Sequence, residues 1–140
     1  RAFAGVIELC AERAHLRRPS CVVAIEARGF IFGAAVAARL GVGFVPVRKP
    51  GKLPYKTRRV EYALEYGTDA LEMHYDALDS SDRALIVDDL IATGGTAGAT
   101  AQLVEQLGAH VAGFLFVIEL AFLGGRKRLV PHDVDALVTY

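Results

Sequence analysis

An α/β fold, with a mostly parallel central sheet flanked by helices, follows from three observations on the 140-residue sequence. First, Cys21–Ile25, Gly43–Val47, Ala84–Val87 and Val111–Ile118 are short apolar runs without polar alternation, as expected of strands covered on both faces. Second, Phe30–Leu40 and Thr96–Leu107 have helical composition and spacing, and Gly41 and Gly108 stop them. Third, strands and helices alternate along the chain, the pattern of a parallel sheet joined by crossover helices.

The remaining elements fit around this frame. Phe3, Val6, Ile7, Leu9, Cys10 and Ala14 recur at helical spacing, so a first helix is expected over Phe3–Leu16. Arg17–Ser20 end it. Glu26–Gly29 reads as a loop between the first strand and the second helix. Arg48–Tyr55 is basic and rich in Pro and Gly, hence another loop. Lys56–Asp69 is polar with interleaved Tyr and Leu, a loose hairpin or mobile flap. Leu71–Tyr75 reads as an edge strand, Ser80–Arg83 as a turn and Ala136–Val138 as a final strand. Three polar loops, Glu26–Gly29, Arg48–Tyr55 and Asp88–Gly95, follow strands and are expected to cluster at the carboxyl end of the sheet, where such sheets bind ligands.

Composition narrows the class. A hydrophobic fraction of 53% provides a core, and one domain over residues 1–140 is expected. Sixteen basic and sixteen acidic residues cancel, so no global charge draws the chain to nucleic acid or to an anionic membrane. No apolar run approaches the roughly 20 residues of a membrane span. Cys10 and Cys21 have no CxxC partner and read as buried free thiols, which fits a reducing, cytoplasmic setting. His15, His74, His110 and His132 are scattered without metal-ligand spacing. The sequence lacks an initiator Met and starts inside a helical pattern, so residues are expected to be missing before Arg1.

Leu85–Thr96, LIVDDLIATGGT, carries the chemistry. Leu85, Ile86 and Val87 form a buried strand. Asp88 and Asp89 follow at once, and two adjacent acids there repel each other and carry a desolvation cost that something polar or cationic must offset. Gly94 and Gly95 lack a Cβ, so a ligand can approach the backbone. Free N–H groups at the start of the next helix favour a phosphate, and Thr93 and Thr96 add hydroxyls. The acids suit the vicinal hydroxyls of a sugar. The segment therefore reads as a site for a ribose and its 5-phosphate side by side. An N-cap and tight turn would explain TGGT alone, but not the acidic pair. A Walker A loop is absent, and Gly41-Val42-Gly43 enters a strand with Pro46 where a third glycine would stand.

This segment resembles the motif with which type I phosphoribosyltransferases bind 5-phosphoribosyl-1-pyrophosphate (PRPP). Three further stretches narrow the resemblance to the adenine branch of that family: EARGFIF at Glu26–Phe32, VPVRKPGKLP at Val45–Pro54 and LEYGT at Leu64–Thr68. It runs from about residue 3 to the C-terminus. The resemblance implies a type I phosphoribosyltransferase fold and transfer of the phosphoribosyl group of PRPP to adenine, giving AMP and pyrophosphate. It implies that Asp88 and Asp89 hold the ribose hydroxyls and that Ala92, Thr93, Gly94, Gly95 and Thr96 wrap the 5-phosphate. Ala27, Arg28 and Gly29 would form the pyrophosphate loop, where the family has a non-proline cis peptide. Arg48 and Lys52 would add charge there, with Lys49 as a third cation. Glu65 would be the acid/base that contacts the purine, Tyr66 would help to close the flap, and Leu90 would pack against the base. Mg²⁺, held mainly through PRPP oxygens with no direct protein ligand, and a homodimer are also implied. The segment that precedes the first long helix in the family, and folds over the base, has no counterpart before Arg1.

Each role has a physical reason. Pyrophosphate leaving from C1 builds an oxocarbenium-like ribose, and fixed cations aimed at the departing oxygens lower the barrier. The attacking base must lose or rearrange a proton, which a carboxylate within reach can accept. Water must be excluded, and the flap Leu53–Asp69 could act as that lid. Two rival readings stand beside this one: a phosphoribosyltransferase for hypoxanthine, xanthine or orotate, and a PRPP-sensing regulator without catalysis.

Overall fold

The computed structural model describes residues 1–140. Its elements are α1 (Ala2–His15), β1 (Cys21–Ile25), α2 (Arg28–Leu40), β2 (Gly43–Val47), β3 (Thr57–Leu64), β4 (Gly67–His74), β5 (Arg83–Ile91), α3 (Gly95–Gln106), β6 (His110–Glu119) and β7 (Val134–Thr139). Short 3-10 turns at Ala121–Leu123 and Gly125–Leu129 form a strap between β6 and β7.

The main sheet has the order β2-β1-β5-β6-β7 with every pairing parallel. Its apolar runs sort by strand alternation. Val22, Leu85, Val87 and Leu115 face one way and pack with Ile7, Cys10, Ala14, Val36 and Ala37 of α1 and α2. Val23, Ile86, Phe114 and Phe116 face the other way and pack with Leu103 and Val104 of α3 and with Leu71 and Met73 of β4. The expected parallel sheet and flanking helices are both present. Cys10 and Cys21 are buried and unpaired, as expected.

Several boundaries differ from the sequence reading. α2 begins at Arg28, not Phe30, so Arg28 and Gly29 lie in its first turn rather than in a loop. β2 is not buried on both faces: it is the sheet edge, with Gly43 and Phe44 exposed and only Val47 fully buried. Pro46 is tolerated there because an edge strand has one face of its backbone unpaired. β5 continues past its apolar run through Asp88 and Asp89 to Ile91, because β6 extends the ladder beside it, pairing Asp88 with Phe116 and Ile91 with Glu119. Leu71–Tyr75 is an edge strand, but of a separate two-stranded sheet rather than of the main one. It belongs mostly to β4, which pairs along its full length with β3 and buries Leu71 and Met73. The polar stretch before it is thus a regular eight-residue-per-strand hairpin, tied to the end of β2 by reciprocal backbone bonds between Arg48 and Glu72 of 3.0 and 2.8 Å.

The strand order sets the site. From β1 the chain steps outward to β2, then returns to place β5 on the other side of β1. Such a reversal opens a crevice beyond the carboxyl ends of the two strands. The loops after β1 and β5 meet there.

Candidate active site

A cleft of about 320 Å³ lies at this switch point. Its walls are the turn Glu26–Arg28, Lys49, and the whole stretch Asp88–Ala97.

On the β1 side, the Glu26–Ala27 peptide is cis, at the place where the resemblance implied such a bond. Glu26 stays part-buried. Its carboxylate accepts a 2.6 Å hydrogen bond from the Lys49 backbone N–H and lies 3.4 Å from Arg48 Nε. Gly29 is required by a close approach: a Cβ there would sit 2.7 Å from Asp88 Oδ1.

On the β5 side, Asp88 is half-buried and its Oδ1 accepts a 2.9 Å bond from the Asp89 N–H. Burial pushes its carboxyl up to about 7, helped by the neighbouring Asp89 and opposed by that backbone bond and by Arg28. Arg28 supplies the compensation that the adjacent acids demand. Its Nε donates to Asp89 Oδ2 at 2.5 Å, and the pairing raises the guanidinium's pKa.

After β5, Ala92 and Thr93 lead to Gly94, whose φ of 85° is left-handed. A Cβ on Gly94 would meet the Gly125 carbonyl oxygen at 2.5 Å, so the strap is packed directly against this turn. Helix α3 starts at Gly95, with no side chain capping it. Its first-turn N–H groups therefore have no internal acceptor, and Gly95, Thr96 and Ala97 line the cleft.

The three cations of the loop after β2 separate. Lys49 lines the cleft, and it is held from the hairpin by Asp69 and by the Tyr62 hydroxyl, the latter at 3.2 Å. Burial works against its ammonium charge, but the bonds to Asp69 and Tyr62 outweigh this and raise its pKa. Arg48 turns instead toward Glu26 and donates to the Lys52 carbonyl at 3.2 Å. Lys52 is exposed and outside the cleft wall. The backbone between Lys49 and Lys52 turns through Gly51, with φ 79°.

Glu65 and Tyr66 form the tip of the β3–β4 hairpin, between the paired Leu64 and Gly67. Both are exposed, Tyr66 to 91%. Glu65 lines a second cleft, between the hairpin and the turn Thr93–Thr96, while Tyr66 lines neither cleft. Leu90 is half-buried in the wall of the main cleft. Sequence reasoning did not single out Tyr62, Asp69 or Arg128. Tyr62 and Asp69 are paired across the hairpin, so their shared hold on Lys49 needs the hairpin register. Arg128 sits in a basic run, GGRKRL, whose only local signal is its charge.

Comparison with known proteins agrees with this geometry. The phosphoribosyl transferase domain family matches residues 1–137. The adenine phosphoribosyltransferase of Desulfitobacterium hafniense is 55% identical over 139 residues, 99% of this chain and 80% of that protein. The crystal structure of adenine phosphoribosyltransferase from Thermoanaerobacter pseudethanolicus superposes with a TM-score of 0.97 at 55% identity, covering 99% of this chain and 81% of that one. The Saccharomyces cerevisiae enzyme, complexed with D-2,5-dideoxy-2,5-imino-altritol 1,6-bisphosphate and adenine, superposes with a TM-score of 0.88 at 43% identity, over 96% of this chain and 78% of that one. With an acidic pair and an uncapped helix start sharing one cleft, and with relatives of this likeness, the chain belongs to the phosphoribosyltransferase domain family, among its adenine phosphoribosyltransferases.

Proposed function

We propose that the cleft between β1 and β5 binds PRPP and that residues 1–140 act as one domain transferring its phosphoribosyl group to adenine, with AMP and pyrophosphate as products. The observation that carries this reading is the acidic pair of β5 set within seven residues of an uncapped helix start, both facing one cleft.

Asp88 and Asp89 accept hydrogen bonds from the ribose hydroxyls. Ala92, Thr93, Gly94, Gly95 and Thr96 wrap the 5-phosphate with backbone N–H groups and two hydroxyls. Ala27, Arg28 and Gly29 receive the pyrophosphate, and Lys49 faces it from the opposite wall. Arg28 exchanges Asp89 for pyrophosphate oxygens as the donor enters. Arg48 and Lys52 add positive charge from the adjoining loop. As the bond from C1 to pyrophosphate lengthens, these fixed cations stabilise the charge gathering on the leaving oxygens. Leu90 packs against the base. Closure of the flap Leu53–Asp69 brings Glu65 to the purine, where its carboxylate handles the base's proton, and Tyr66 helps to seal the lid.

Magnesium fits this donor set as an ion held through PRPP oxygens. No group of three or more His, Cys, Asp or Glu side chains converges in the chain to hold one alone, and Asp88 and Asp89 stand behind the ribose hydroxyls. When bound, it supplies further positive charge to the pyrophosphate. The same reading makes the protein a cytoplasmic purine-salvage homodimer whose ligands are small molecules rather than nucleic acid or membrane. A balanced net charge and the absence of any helix long and apolar enough to cross a membrane accord with it. So does the exposure of Ile31, two residues after the pyrophosphate loop, which offers apolar surface to a second copy.

The test is incubation with PRPP, Mg²⁺ and adenine, with AMP and pyrophosphate measured, beside hypoxanthine, xanthine and orotate as competing bases. AMP formation with adenine alone is expected. Tight PRPP binding without any nucleotide product would favour a sensor and overturn the enzyme reading.

A further inference from the structure

The turn that follows β5 is open on two sides. One faces the main cleft. The other faces the second cleft, about 390 Å³, lined by Thr93, Gly95 and Thr96, by Tyr62 and Glu65 of the hairpin, and by Arg128 of the strap.

The charges around this turn do not balance for the proposed ligand. A phosphate monoester carries about −1.5 to −2 near neutral pH. The start of α3 offers about +0.5. Ala92–Thr96 are uncharged, Asp88 and Asp89 are acidic, and the nearby Arg28 is committed to Asp89. Lys49, the other cation lining that cleft, is committed to Asp69 and Tyr62, so no unpaired cation remains on the main-cleft side.

Arg128 stands on the other side. Its backbone is fixed. Leu129 beside it is 1% exposed within the core, and the Arg128 carbonyl oxygen lies 3.8 Å from the Cβ position of Gly98 in α3. Two residues earlier, Arg126 grips the buried Glu119 with two bonds of 2.7 and 2.9 Å and donates to the Val134 carbonyl at 2.7 Å. Gly125 is packed against Ala92 and Gly94. The side chain of Arg128, in contrast, is exposed and enters no ion pair or hydrogen bond. Its Nη1 reaches within 3.4 Å of the Cβ position of Gly95, the first residue of α3. A guanidinium fork is matched to phosphate oxygens.

We propose that Arg128 contacts the 5-phosphate of PRPP and of AMP, completing the anion site from the hairpin side. This rests on the assignment of Ala92–Thr96 to the 5-phosphate. Lys127 is an internal control: it is equally basic and exposed, but its stem lies along Gly124, away from the cleft.

Calorimetric titration with ribose 5-phosphate, and separately with pyrophosphate, tests the proposal on the intact chain and on Arg128→Gln, Arg128→Lys and Lys127→Gln. Arg128→Gln is expected to weaken ribose 5-phosphate about ten-fold while leaving pyrophosphate within about two-fold. Arg128→Lys should recover part of the loss, and Lys127→Gln should bind both ligands as the parent does. Equal ribose 5-phosphate affinity in the parent and Arg128→Gln would overturn the proposal, as would an equal loss of both ligands, which marks a general effect of charge or folding. If the parent itself binds pyrophosphate but not ribose 5-phosphate, the assignment of the turn fails first and takes Arg128 with it.

Discussion

The stretch Leu85–Thr96 and the hairpin Thr57–His74 meet at the second cleft, where Thr93, Gly95 and Thr96 face Tyr62 and Glu65, yet they are built on opposite terms. Leu85, Ile86 and Val87 are buried to within 1% in the centre of the sheet, with β1 on one side and β6 on the other. The acids and the glycine turn leave that strand with little freedom. The distal half of the hairpin pairs only with itself, and from Ala63 to Thr68 every residue is exposed. Its root is anchored through Val60, Leu71 and Met73, and its tip carries Glu65. The half assigned to the sugar phosphate is thus preorganised by the core. The half assigned to proton handling sits at an exposed tip outside the core. Such a division suits a reaction that must admit two substrates and then exclude water.

Four substitutions break or sharpen this contrast, taken here from the largest expected effect. Glu65→Ala should lower turnover by about 10²- to 10⁴-fold while the melting temperature and PRPP affinity stay unchanged. Undiminished turnover would remove Glu65 from the chemistry. Gly94→Ala attacks the preorganised side. It adds a Cβ 2.5 Å from the Gly125 carbonyl oxygen at a left-handed φ of 85°, so urea unfolding should show a loss of about 2–4 kcal/mol together with lost ribose 5-phosphate binding. Parental stability would mean that the strap yields easily.

Asp88 links the rigid side to pH. Its carboxyl, pushed up to about 7 by burial, keeps a proton in the folded chain that the unfolded chain has already released above the ordinary carboxylate range. Ligand-free stability should therefore fall as pH rises toward and through 7, by on the order of 1–3 kcal/mol. Asp88→Asn should flatten that part of the profile. An unaltered slope in urea titrations between pH 5 and 8 would assign the dependence elsewhere. Smallest of all, Tyr66→Ala at the exposed tip should shift unfolding free energy by no more than about 0.5 kcal/mol. A larger change would show that the tip packs against the body in the resting state.

The two regions also differed in how far the sequence disclosed them. Around β5, neighbours along the chain specify one another. An apolar triplet needs burial, two acids need a cation and polar ligands, and small residues ahead of a helix leave donors free. Even so, the length of β5 was underestimated, because Asp88–Ile91 joins the sheet only through the ladder of β6. The hairpin's alternation was too weak to reveal two full strands, since its register comes from pairing with itself over β4's buried face. The loop cations Arg48, Lys49 and Lys52 could be assigned only as a group. Which of them reaches the cleft depends on Glu26, Asp69 and Tyr62, which stand 22, 20 and 13 positions from the cations they hold.

The sequence by itself determined the parallel α/β frame and the buried runs of β1, β5 and β6, and it singled out LIVDDLIATGGT, because burial periodicity, glycine and adjacent charge act over a few neighbouring residues. Tertiary structure alone decided the partners. Arg28 sits on Asp89, Lys49 hangs from Asp69, Arg126 clasps Glu119, and Arg128 is left free beside Gly95. Coulomb attraction selects among charges by distance in space, and only the packed sheet, with β1 beside β5 and the strap folded over both β6 and α3, sets those distances.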